Sequence, residues 1–164
     1  VVSIQLDLMS ISPRDIHELR RTVELPAVEA AARDLSDEMA DHLRRLVTEL
    51  HAMTPEQVND AGYRLFIALA DASGNRPLAT FARIAMRLQS ERVEQFAQAP
   101  EEKRARTREL AAVQRRIAEA VLERDPAVAR HRLLRHLEEV HRYVTPVPAL
   151  PEHRRSALAA RADA

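Results

Sequence analysis

The chain contains no cysteine and no tryptophan, only two glycines, and 3% aromatic residues among its 164. Without cysteine there are no disulfides, no thiolate metal sites and no cysteine nucleophile. So few glycines and aromatics argue against a β-sandwich or barrel, which needs turn glycines and strand-forming aromatics. No apolar run approaches the ~20 residues of a membrane span, and no signal peptide is visible, so the chain reads as cytoplasmic. An excess of one charge is also missing: Lys+Arg and Asp+Glu number 25 each. That balance gives no support to a nucleic-acid surface. What remains is a chain rich in Ala, Leu, Arg and Glu, all strong helix formers, and long enough for one domain with a real core.

Punctuation divides the sequence into helices. Val2-Ser3-Ile4-Gln5-Leu6-Asp7-Leu8 alternates apolar and polar and reads as a short strand with no obvious partner. Ser12-Pro13 with Asp15 predicts an N-cap, a first-turn proline and a first-turn acid, opening a helix to about Ala32 that Pro26 should kink. Ser36-Asp37-Glu38 opens a second, to about Met53. Thr54-Pro55-Glu56-Gln57 is a capping box for a third, which stops at Ser73-Gly74-Asn75, where Gly74 suits the left-handed C-terminal position. Pro77 starts a fourth, to about Gln98; Pro100 a fifth, to about Glu123; and Asp125-Pro126 a sixth, to about Val144. Pro146, Pro148 and Pro151 then end regular structure, leaving residues 145–164 as a tail. The expected fold is all-α: an antiparallel bundle of six to seven helices joined by short loops. No internal repeat, phosphate-cradling glycine loop, catalytic triad or His-Glu-x-x-His stands in the chain, and the chain is not expected to be an enzyme.

Three predicted helices interrupt an apolar stripe with one polar residue. Arg20 lies among Ile16, Val23 and Ala27; Gln114 among Leu110, Ile117 and Val121; His136 among Ala129, Leu133 and Val140. The third helix carries the stripe Gly62, Phe66, Leu69 and Ser73, with a glycine that costs ~1 kcal/mol against Ala in a helix interior. Burying an unpaired charge or amide is expensive. If these residues face one centre, they make a polar spot inside apolar walls, as a small-molecule site requires. Arg20 would supply a fork for a carboxylate, and Gln114 and His136 neutral hydrogen bonds. The plainer alternatives are an arginine that reaches solvent or pairs with a nearby acid, a glutamine at the rim, and a histidine satisfied in the core. The charged stretch Glu101 to Arg108 reads as a solvated face.

Several stretches together resemble a known family. They are Glu18-Leu19-Arg20-Arg21-Thr22-Val23-Glu24 followed by Ala30-Ala31-Ala32, then Ala68-Leu69-Ala70-Asp71-Ala72-Ser73-Gly74-Asn75. Further on come Ile117-Ala118-Glu119-Ala120-Val121 with Arg124-Asp125 and Ala129, and then His136-Leu137. In order and spacing, over about residues 13 to 144, they resemble the C-terminal effector domain, the FCD domain, of the FadR branch of GntR transcription regulators. The resemblance implies a helical bundle that dimerises and encloses a ligand cavity. Many members hold a metal there through an Asp, a His four residues later, a second His on the next-to-last helix and a third on the last. Carried onto this chain, those positions are Gly62, Phe66, Gln114 and His136, so only His136 is kept. The resemblance therefore implies a dismantled metal site, no cofactor, and an effector pocket shaped by Gly62 and Phe66. Arg20 is its anion anchor, with Gln114 and His136 as hydrogen-bonding partners.

The expected effector is a small organic acid or acyl-type molecule, and the expected assembly a homodimer. Residues 1–11 would be a linker or the remnant of a missing N-terminal winged-helix domain, residues 12–144 the effector-binding and dimerisation domain. Operator DNA would be reached only through that missing domain, with no membrane involved. A purely structural dimerisation module remains the alternative, its centre filled by its own side chains and Arg20 paired internally, for example to a Glu.

Overall fold

The computed structural model describes residues 11–52, 58–94 and 100–144. They form six helices: α1 (Pro13–Asp34), α2 (Asp37–Ala52), α3 (Val58–Ala72), α4 (Arg76–Glu94), α5 (Pro100–Leu122) and α6 (Pro126–Val144). Among the described residues there is no strand. The alternating segment from Val2 to Leu8, the Thr54–Gln57 box, the end of the fourth helix near Gln98 and the 145–164 tail lie outside them. No described helix is long and apolar enough to cross a membrane.

The helix ends follow local chemistry. Ser12 and Asp15 close a reciprocal capping box: the Asp15 amide donates to Ser12 Oγ at 3.1 Å and the Ser12 amide to Asp15 Oδ2 at 2.9 Å. The Ser12 hydroxyl, donating to Asp15 Oδ2 at 2.6 Å, and then the Ser12 amide hold the Asp15 carboxyl below the usual carboxylate range. α1 continues through Pro26 to Asp34 as one element. Ser36 caps α2 by accepting from the Met39 amide at 3.2 Å. Gly74 ends α3 with φ +66°, as its position predicts. Asn75, one residue earlier than Pro77 suggested, caps α4 through its Oδ1 and the Leu78 amide, 3.1 Å apart.

The α5–α6 junction is tighter than its sequence suggests. Arg124 sits at φ +56°, a left-handed position usually taken by glycine. Its amide donates to the Val121 carbonyl at 3.0 Å and the Asp125 amide to that of Ala120 at 3.0 Å, which is the Schellman pattern. Asp125 then caps α6 by accepting from the Val128 amide at 2.9 Å. One short turn thus closes one helix and opens the next.

α1 is the centre of the bundle. It packs most extensively on α6 and also against α3, α4 and α5. Its buried residues, Ile16, Arg20, Val23, Glu24, Leu25, Ala27, Val28, Ala31 and Ala32, cover far more than one stripe, as expected of a helix enclosed by neighbours. The main core joins α1, α2, α3, α5 and α6, with Met86 of α4, through Val28, Leu43, Leu65, Ile117, Val121, Leu133 and Leu137. Burying each such large apolar side chain contributes about 1.5–3 kcal/mol. A second cluster is made of small residues: Val23 with Ala70, Ala79, Ala82 and Ala85, a seam that lets α4 approach α1 and α3. Surface ion pairs link neighbours from outside, among them Arg83–Asp71 at 2.6 Å and Arg130–Glu29 at 3.0 Å.

Candidate functional site

Arg20 is 4% exposed and does not reach solvent. Its Nε donates to Glu24 Oε1 at 2.6 Å and its Nη2 to Glu24 Oε2 at 3.0 Å. The pair is intrahelical, one turn of α1 apart, and both side chains are 5% exposed. The stripe through Arg20 marks a buried position correctly. Glu24 lies outside that stripe, and its i,i+4 spacing from Arg20, the spacing of a helical ion pair, is the sequence signal for it.

His136 comes to the same place from α6. Its ring stacks on Phe66 of α3, with centroids 5.3 Å apart and planes 15° from parallel. Burial, and then the nearby Arg20 guanidinium, push the imidazole down to about 3. At neutral pH it is an uncharged ring, so among the described residues the buried ions at this centre are Arg20 and Glu24.

Gln114 comes from α5 and lies on Gly62, one turn of α3 before Phe66. A Cβ on Gly62 would stand 2.2 Å from Gln114 Nε2 and 2.6 Å from both its Cδ and Oε1. The glycine that looked costly in a helix interior is the surface on which the amide rests. Gln114 is 4% exposed, so it is no rim residue, and its Oε1 has no hydrogen-bond partner among the described residues. An orphaned buried acceptor costs free energy of about 1–3 kcal/mol and calls for a donor.

Thus α1, α3, α5 and α6 bring all five expected residues inside: Arg20 beside His136, His136 on Phe66, and Gln114 on Gly62. The remaining stripe members are uneven. Leu133, Ile117, Val121 and Ala129 are buried, while Leu110 and Val140 are only half-buried. A small cavity of ≈ 10 Å³ adjoins the centre, lined by Glu24, Ala27, Val28, Phe66, Leu69 and Leu133 among others. That is about the space of one water.

The four positions that correspond to metal ligands do not suit a divalent ion. Gly62 has no side chain, the Phe66 ring lies against the one imidazole, and Gln114 offers a neutral amide. One nitrogen and one amide oxygen with no carboxylate among them make a poor donor set. Among the described residues no group of three or more His, Asp or Glu is arranged to hold a metal ion.

The family model of the FCD domain matches residues 15–139, which is most of the chain. Among solved structures, the chain resembles Streptococcus agalactiae GntR with a TM-score of 0.62 and 22% identity, covering 85% of this chain and 62% of that one. The chain therefore spans less than two thirds of the length of that protein. No curated protein matches the sequence.

Proposed function

The chain belongs to the FCD-domain family, and on that premise we propose that it is the ligand-sensing and dimerisation domain of a FadR-type GntR transcription regulator. In this reading it binds a small organic acid or acyl-type effector at the centre of the bundle, without metal, and performs no chemistry on it. Residues 12–144 make up the sensing domain, residues 1–11 a linker and residues 145–164 a tail. Operator DNA is reached only through a winged-helix domain, in the cytoplasm.

One observation carries the reading: three helices, α1, α5 and α6, bring buried polar groups into the core, around the α3 segment from Gly62 to Phe66. Arg20, Glu24, His136 and Gln114 are each 5% exposed or less. Polar groups at that depth reduce stability unless they are hydrogen-bonded, and Gln114 Oε1 has no partner among the described residues. Arg20 is the anion anchor in this proposal, Gln114 and His136 hydrogen-bonding partners, and Phe66 and Gly62 shape the wall. Because the site is built from α1, α3, α5 and α6, a ligand that shifts any of them changes the packing of the whole bundle. It can do so only to the extent that it binds one arrangement better than the other. Phe81 and Ile84, 54% and 39% exposed on α4, support dimerisation as the second half of the role.

The small size of the cavity and the internal Arg20–Glu24 pair favour a second reading, a structural module with no ligand. Native mass spectrometry of the purified chain, with metal analysis on the same sample, separates them. A dimer that releases a small organic molecule on unfolding is the expected outcome. A stoichiometric divalent ion would overturn the metal-free site, and an empty chain with no ligand stabilisation would favour the structural module.

A further inference from the structure

The charges at the centre sum to zero before any ligand enters. Arg20 and Glu24 cancel, both 5% exposed; His136 and Gln114 are neutral. A plain carboxylate brought to Arg20 would add one negative charge that nothing balances, where water is excluded. A plain amine brought to Glu24 would add one positive charge. Buried ions are tolerated only when paired. A molecule bearing both charges leaves the sum unchanged, exchanging one internal ion pair for two across the interface.

Two more observations point toward a ligand that donates hydrogen bonds as well as accepting them. In the cavity wall the one charged group is the Glu24 carboxylate, an acceptor, and the other lining residues, Ala27, Val28, Phe66, Leu69, Ala70 and Leu133, are apolar. Gln114 Oε1 is a second buried acceptor, and it has no partner. A ligand consisting only of acceptors would meet no donor side chain in that wall and would leave Gln114 Oε1 without one.

Resting on the effector reading above, we propose that the pocket takes a zwitterion of the α-amino-acid class with an aliphatic side chain. Its carboxylate engages the Arg20 guanidinium, its ammonium engages the Glu24 carboxylate, and its side chain lies against Phe66, Leu69 and Leu133. The cavity, at ≈ 10 Å³ and with Glu24 but not Arg20 in its wall, has to widen to admit it and to reach the guanidinium paired to Glu24. Binding is therefore coupled to a movement of the walls, which belong to α1, α3 and α6.

The test titrates the intact chain calorimetrically with L-valine, L-leucine and L-methionine. Each is paired with the carboxylic acid that lacks its amino group and the amine that lacks its carboxyl. The expected result is that at least one amino acid binds the wild type tenfold or more tighter than either of its single-charge analogues. In Glu24→Gln the order should invert, with the carboxylic acid overtaking the amino acid. Should Glu24→Gln fail to fold, the wild-type ranking decides by itself. The double variant Arg20→Met/Glu24→Leu, which replaces the pair with apolar volume, should then fold and bind none of the probes. A wild type that prefers the carboxylic acid, or that binds no member of the series, overturns the inference. In that case a copurified molecule with a single charge would leave the effector reading standing, while an empty protein would remove both.

Discussion

Helix α1 carries the same motif twice. Arg14–Glu18 and Arg20–Glu24 share residue types, spacing and handedness, and the Nε–Oε1 distances are 2.9 and 2.6 Å. One pair is 80% and 60% exposed, the other 5% and 5%. At the surface, water and salt screen the ions, and the pair is a minor ornament of the helix. In the centre, the same contact is what makes two buried ions tolerable, and the Arg20 guanidinium also helps keep His136 uncharged. Identical local sequence grammar thus serves two purposes, and burial alone separates them.

The comparison is broken most directly at its inner member. Glu24→Gln strands the Arg20 charge in the core and is expected to lower unfolding stability by about 3–5 kcal/mol in urea denaturation. A loss no greater than that of the surface change Glu18→Gln would show that the two pairs are equivalent after all. Arg20→Met/Glu24→Leu should recover most of the loss, because removing both ions removes the desolvation cost with them.

Next in size is the pH dependence. His136 has a folded value of about 3, below the usual histidine value of 6.5. The unfolded chain therefore takes up a proton below about pH 6.5 that the folded chain refuses. Stability is intact above that pH and falls as pH drops toward 3, by about 1 kcal/mol per pH unit from this residue. His17 adds in the same direction: burial and then the stacked His141, 4.4 Å away, lower it as well. Urea midpoints measured between pH 7 and 4 should slope downward, and His136→Leu should flatten the slope. An equally steep slope in that variant would place the imidazole in contact with water.

A smaller effect sharpens the picture around α3. Gly62→Ala gains about 1 kcal/mol of helix propensity but drives a methyl into the Gln114 amide. In a Gln114→Ala background the clash is gone. The cycle should therefore show Gly62→Ala to be more favourable there by about 1–2 kcal/mol than in the wild type. Additive changes would mean that the amide does not rest on the glycine. The smallest effect is the outer pair itself: Glu18→Gln should leave the denaturation midpoint where it was.

The helices were readable because their signals are local. Ser12 with Asp15, Ser36, Gly74 and Asp125 act on backbone groups within a few residues, and the boundaries they imply agree with the structure to within a residue or two. Arg124 is the exception. No sequence rule expects an arginine at positive φ, and it takes that conformation at the left-handed position of the Schellman turn between α5 and α6. The polar interruptions at Arg20, Gln114 and His136 were visible as well, since a break in an apolar period is also a local fact. The contacts among them were not.

Sequence by itself therefore determined the helix grammar, the absence of thiol chemistry and the positions where polarity enters the core. Tertiary structure alone decided what that polarity does. Gln114 meets Gly62, and Phe66 meets His136, only after α3, α5 and α6 have packed around α1. Whether an Arg-x-x-x-Glu motif is surface decoration or a buried pair depends on which side of α1 those helices cover. The i,i+4 rule places the two charges together, and burial, which no local rule contains, sets how much the pairing is worth.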